Sequence, residues 1–203
     1  MKYLLFASIG LFIGCSSAYK DLQSVEADSG CLKKFVPAFQ SQWYRASVMA
    51  AGRYISGLLL IKKMPDSSHR FVFTNEAGVK FFDFEFSGNR FTVHQVIRQL
   101  DKKAVVNTLR KDFEMLLMVP VMAGDVKQFQ RGHVIFHGFR KNKEINYFVT
   151  DWDCTALLAI EKASDRKKKV VVQLFNRQDN VPDSVSIQHF LINMQINLKK
   201  LDR

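Results

Sequence analysis

Cysteine, proline and glycine are all scarce in this chain: 3 Cys, 4 Pro and 10 Gly among 203 residues. Three cysteines cannot staple a disulfide-dense miniature domain. So few Pro and Gly leave neither a collagen-like repeat nor a linker-dominated chain. No internal apolar run reaches the roughly 20 residues that a membrane-spanning helix needs. Acidic side chains are also short, 19 against 30 Lys and Arg, for a formal charge of +11. Catalytic signatures are missing as well. No Gly-x-Ser-x-Gly elbow, P-loop or dinucleotide fingerprint occurs, so an enzyme is not the reading. What is present is apolar mass: 47% hydrophobic residues, 12% aromatics and 18 Phe. That is too much for disorder and suits one domain with its own core.

The first residues give an address. Lys2 is followed by an apolar stretch from Tyr3 to Ile13 and then by Gly14-Cys15-Ser16-Ser17. One early cation, an apolar segment and a small residue before Cys make a secretory signal rather than a membrane span. Leu11-Phe12-Ile13-Gly14-Cys15 resembles a bacterial lipobox, although Phe12 stands where Leu is commonest. The expectation is a signal peptide over 1–14, acylation at Cys15 by palmitate-type chains, a polar tether over 15–30 and a single β domain over 31–203. The chain is then a lipoprotein of the bacterial cell envelope, attached to the membrane through its N-terminal lipid. Ser16 rather than Asp follows Cys15. By analogy with the retention rule of enteric bacteria, this points to the outer membrane, with the leaflet left open.

Cys31 and Cys154 are the two remaining thiols. In an oxidising compartment they can form one disulfide, the reading favoured here, or remain two separate buried thiols. The basic residues fall in scattered pairs and one run, Arg166-Lys167-Lys168-Lys169. An exported protein has little access to nucleic acid, and no recognition motif accompanies the charge, so no nucleic-acid partner is expected. The run reads as a solvated hairpin tip or as an attraction to anionic headgroups beside the anchor.

From Cys31 onward, short β-type runs alternate with turns. They cover 43–50, 54–63, 70–75, 79–86, 91–97, 132–139, 144–150, 155–162, 170–176 and 185–198. The fold class is mainly β: a large curved antiparallel sheet of about 9–11 strands. Residues 101–118 break the pattern, with Val105, Leu109, Phe113 and Leu116 at helical spacing, Asp101 as N-cap and Pro120 beyond the end. This amphipathic helix covers the sheet. By period-2 alternation Phe82, Phe84 and Phe86 share one strand face, as do Phe190, Ile192 and Met194. Those six residues are the expected lining of an apolar concavity, or else of a filled core.

The polar candidates carry less. His133 and His137 are four apart on a strand, about 13 Å between Cα atoms, too far to share one ion. His69, His94 and His189 have no ligand spacing, and neither a metal nor a cofactor is expected. Asp151 and Asp153 could act as a carboxylate pair, but they border a turn and read as a strand end.

Lipobox, tether, antiparallel sheet and one covering helix together resemble the LolA/LolB-like superfamily of lipoprotein carriers and outer-membrane receptors. The likeness is carried by Ser56-Gly57-Leu58-Leu59-Leu60-Ile61-Lys62 and by the stretch from Phe71-Val72-Phe73-Thr74 to Phe81-Phe82-Asp83-Phe84. Pro182, Ile187 and Gln195-Ile196-Asn197-Leu198 look similar to the family's closing strand. The resemblance implies a half-open barrel with a helical lid that holds acyl chains. The expected function is binding of lipid, or of the acyl chains of lipoproteins, in an apolar β-concavity, aiding lipoprotein or lipid localisation at the outer membrane. The alternative is a structural or interaction lipoprotein with a filled core and no ligand.

Overall fold

The computed structural model describes residues 18–122, 125–178 and 180–201. The proposed signal segment and Cys15 lie outside the described residues.

Period-2 alternation and tight turns build one meander in the first half: β2 (Ser41–Ala50), β3 (Arg53–Lys63), β4 (His69–Thr74), β5 (Lys80–Ser87) and β6 (Arg90–Val96). A second meander follows: β7 (Val126–Arg131), β8 (Val134–Lys141), β9 (Glu144–Asp151), β10 (Leu157–Ala163), β11 (Lys168–Gln178), β12 (Val181–His189) and β13 (Met194–Lys200). A short β1 (Gln23–Val25) adds to the edge of β7. All pairings are antiparallel, and β13 joins the meanders by pairing with β2. The result is one curved, unclosed sheet of 13 strands with β1 and β6 at its edges. Gly57 in β3 sits where a Cβ would lie 2.1 Å from the carbonyl oxygen of Thr74, so only glycine fits there.

Helix α1 (Lys103–Leu116), the one α-helix among the described residues, follows from this topology. It connects β6 with β7, which lie near opposite ends of the sheet, so the connection has to cross the sheet face. Leu109, Phe113, Met115 and Leu116 are buried against that face. The Phe113 ring stacks on Phe71 at 4.5 Å and reaches Phe82 and Phe86 at 5.9 and 6.3 Å. A fully buried aromatic of this kind contributes about 1.5–3 kcal/mol through area alone. On the opposite face of β8 and β9 a smaller cluster forms from Tyr19, Phe136, Ile145, Tyr147 and Val149. A 3-10 turn (Ser29–Phe35) carries Cys31, which is disulfide-bonded to Cys154 with the Cα atoms 6.4 Å apart.

Several expectations need correction. The run 185–198 is not one strand: β12 ends at His189, β13 begins at Met194, and residues 190–193 form the turn. Phe190-Leu191-Ile192-Asn193 contains no Gly or Pro, so its apolar character hid the reversal. The strands β1 and β7 went unrecognised. Helix α1 is capped at Lys102 without a side-chain hydrogen bond, not at Asp101. Residues 18–25, expected within a tether, dock on the sheet. Tyr19 is buried and donates a hydrogen bond of 2.7 Å to Glu161, while Gln23–Val25 pairs with β7. Burying the Tyr19 ring against Phe136 and Tyr147 outweighs the cost of ordering this segment.

Candidate functional site: an apolar cavity beneath the helix

The N-terminal half of α1 does not pack flush on the sheet. Between them lies a cavity of about 320 Å³. Its floor is set by register. Met194, Ile196 and Leu198 of β13 stand opposite Ala50, Val48 and Ala46 of β2, and Val48 stands opposite Ile55 of β3. Leu59, Phe73 and Phe82 continue the wall, and Leu100, Val105, Leu109 and Phe113 form the roof. Ala46, Ala50 and Ala104 are the small residues whose lack of volume leaves the space open. Thr108 is the one polar side chain on the lining, and its hydroxyl donates to the carbonyl of Ala104 within the helix. The lining therefore presents no unpaired hydrogen-bonding side chain. Such a surface can take hydrocarbon and offers nothing to hold a polar or charged guest.

The opening is marked by exposed apolar side chains. Ile192 lines the cavity yet is 49% exposed, and Phe190 and Leu191 beside it are 55% and 60% exposed. Beside these residues lies the β2–β3 turn, whose flanking Met49 and Tyr54 are exposed on the other face of the sheet, since Val48, Ala50 and Ile55 are the ones that line the cavity. The two turns are joined by a hydrogen bond from Ala51 N to Asn193 O at 3.0 Å. Three consecutive large apolar side chains exposed in one turn exceed the scattered exposure ordinary for a surface.

Of the six expected lining residues, Phe82, Ile192 and Met194 line the cavity. Phe84 and Phe86 face the same side but are 0% and 5% exposed in solid packing under the C-terminal half of α1. Phe190 is corrected out of the lining, because the turn carries it into solvent. Reasoning from strand faces missed Ala46, Val48, Ala50 and Ile55, although the pattern of β2 would have placed the first three on one face.

The polar candidates resolve separately. His133 lies in the exposed β7–β8 turn, whereas His137 is buried with Nε2 3.1 Å from the Thr150 hydroxyl and Nδ1 without a partner. Burial holds the His137 imidazole well below the usual range, at about 4. Potential ligand atoms of His137, Cys31 and Cys154 lie within 4.8 Å of one another, a cluster spacing alone could not reveal, but the two sulfurs are joined in the disulfide. Asp151 accepts hydrogen bonds from Ala156 N and the Thr155 hydroxyl and caps the turn after β9. His94 pairs with Glu85, and His189 with Asp112. In the basic run, Lys168 pairs with Glu161 and Lys169 with Glu144. No helix among the described residues is long and apolar enough to cross a membrane.

No protein-family model and no curated protein sequence matches this chain. The fold does have a solved counterpart. The crystal structure of a DUF1329 family protein from Desulfovibrio piger superimposes with a TM-score of 0.53 and 9% identity, over 89% of this chain and 92% of that one. At that identity the likeness is one of fold alone.

Proposed function

We propose that this chain is an envelope lipoprotein, anchored through Cys15, that holds an acyl chain of a lipid or lipoprotein in the cavity beneath α1. The observation that carries the reading is the combination of a lining that is apolar apart from Thr108, whose hydroxyl is engaged within α1, with an apolar rim at the opening. Each buried methylene contributes about 0.8 kcal/mol through area and needs no directional partner. The rim residues Phe190, Leu191 and Ile192 would let a chain pass from hydrocarbon to cavity without full exposure to water. The resemblance to LolA/LolB-like carriers and receptors supports the same function, with localisation at the outer membrane. The solid packing of Phe84 and Phe86 favours the competing reading, a structural lipoprotein without ligand.

The test uses the full chain with Cys15→Ala. Native mass spectrometry and displacement of a fluorescent fatty acid report occupancy. Bound lipid or saturable displacement, weakened at least tenfold by Met194→Glu in a folded protein, supports acyl binding. A clean unliganded mass with no displacement rejects it and leaves the structural reading.

A further inference from the structure

A second depression lies on the other flank of α1 and shares no lining residue with the apolar cavity. It has a volume of about 800 Å³ and continues into a neighbouring hollow of about 510 Å³ through Arg110, Lys111, Glu114, Lys141, Asn146 and Lys162. Its walls are cationic. Arg110 is neutralised by Glu114, Lys111 by Glu144 and Arg140 by Asp165. Among the described residues, no ion pair engages Lys127, Lys141 or Lys162. Lys162 is the notable one, being only 6% exposed. A buried ammonium without a contacting carboxylate is costly, and burial pushes the Lys162 amine down to about 8. Opposite it across the β9–β10 ladder stands Asn146, whose Oδ1 is buried without a partner.

We propose that this depression is an anion site for a phosphate group, with Lys162 as its buried ligand and Lys127 and Lys141 at its wall. The strand pattern explains how the amine reaches it. Lys162 is two residues from Ile160, so both lie on the face that α1 covers, while Glu161 between them turns to Tyr19. Three cations without an ion pair face one lining carboxylate without an ion pair, Asp125, so the wall stays positive, and a phosphate presents up to two charges and several acceptor oxygens. The carboxylates nearest Lys162 are already engaged, Asp112 by His189 and Glu144 by Lys111 and Lys169. They steady the amine electrostatically without occupying its hydrogen-bonding positions. The same chemistry is offered by a free phosphate and by a phospholipid headgroup.

The experiment titrates inorganic phosphate into the full chain carrying Cys15→Ala, followed by calorimetry. In parallel, the protein is sedimented with vesicles of phosphatidylglycerol or of phosphatidylcholine alone. Lys162→Met is compared with Lys33→Met, which removes one exposed cation elsewhere. Saturable phosphate binding, weakened at least tenfold by K162M and less than twofold by K33M, supports the site and identifies a soluble phosphate as sufficient. No phosphate binding, but phosphatidylglycerol-dependent sedimentation weakened tenfold by K162M alone, supports it with the phosphate borne by a lipid. Absence of both, or equal losses in K162M and K33M, overturns it. If K162M does not fold, the paired substitution Lys127→Met/Lys141→Met on the exposed wall is read by the same criteria.

Discussion

Asp112 of α1 and His189 at the end of β12 meet inside the protein, with carboxylate Oδ2 and imidazole Nε2 2.9 Å apart and side-chain exposures of 1% and 6%. Burial pushes the Asp112 carboxyl above its usual range, because it outweighs the hydrogen bond from His189. The pair therefore fixes where the helix crosses the sheet more than it stabilises the fold. His189→Ala leaves Asp112 buried and alone, and is expected to cost about 3–5 kcal/mol. The double replacement Asp112→Leu/His189→Leu is expected to cost less than that single change, since no polar group is then stranded. Urea denaturation of the three proteins checks the order. A double mutant less stable than H189A contradicts it.

His137 makes acid stability a second prediction. Its folded-state value, about 4, lies below the roughly 6.5 of an unfolded imidazole. The unfolded chain therefore binds the proton more readily, and stability falls as pH drops from about 6.5 toward 4. Linkage gives about 2 kcal/mol lost at pH 5 relative to pH 7.5 from this group. Replacing His137 with Gln should flatten that part of the profile while leaving the loss below pH 4. Burial alone would raise the Glu144 carboxyl, but hydrogen bonds from Lys111 and Lys169 outweigh it and hold the group at about 2, so its contribution survives to lower pH. Denaturation midpoints of the two proteins between pH 4 and 8 decide the matter. Parallel profiles would exclude His137 as the cause.

The β architecture was legible because its signals are local. Turns at Gly52, Gly78 and Gly88 adopt positive φ and separate alternating runs, and Leu109 and Phe113 stand one helical turn apart. The turn at 190–193 was not legible, because four residues without Gly or Pro read as more strand. Strand β1 is three residues long and acquires its conformation only from β7. The cavity was half legible. Large residues such as Phe82 and Met194 announce an apolar face, but the void itself comes from Ala46, Ala50 and Ala104, and missing volume has no periodicity. Asp112 and Lys162 look like solvent-facing residues in sequence. Their burial depends on which strands the helix crosses, a tertiary fact set by β6 and β7 lying near opposite ends of the sheet.

The Cys31–Cys154 link gives a third prediction. It ties the 3-10 turn at the start of the domain to the turn after β9, across a sequence separation of 123. Closing a loop of that length restricts the unfolded chain by about 4–5 kcal/mol in the chain-entropy account. Reduction with a phosphine, or Cys31→Ala/Cys154→Ala, is expected to lower unfolding free energy by up to that amount. Thiol labelling of unfolded, unreduced Cys15→Ala protein should find no reactive thiol. Two labelled thiols per chain would refute the link.

Ala104 separates ligand entry from fold stability and provides the sharpest test of the cavity. It lies on the first turn of α1, lines the cavity and is exposed on its outer side. A large ring there can cover the opening shared with Ile192 without entering the packed region around Phe113. Ala104→Trp is therefore expected to change unfolding free energy by no more than about 0.5 kcal/mol, as surface substitutions usually do. It should slow uptake of a fluorescent fatty acid at least tenfold, because the ring fills the space that Ala104 leaves open at the edge of the cavity. Leu191→Glu places a charge on the rim outside the cavity. It should slow transfer from vesicles while leaving displacement by a detergent-solubilised fatty acid within about twofold. Stopped-flow uptake measured from vesicles and from micelles distinguishes the two effects. If Ala104→Trp binds as fast as the parent protein while remaining folded, hydrocarbon does not enter beneath α1, and the cavity is a packing defect of the fold.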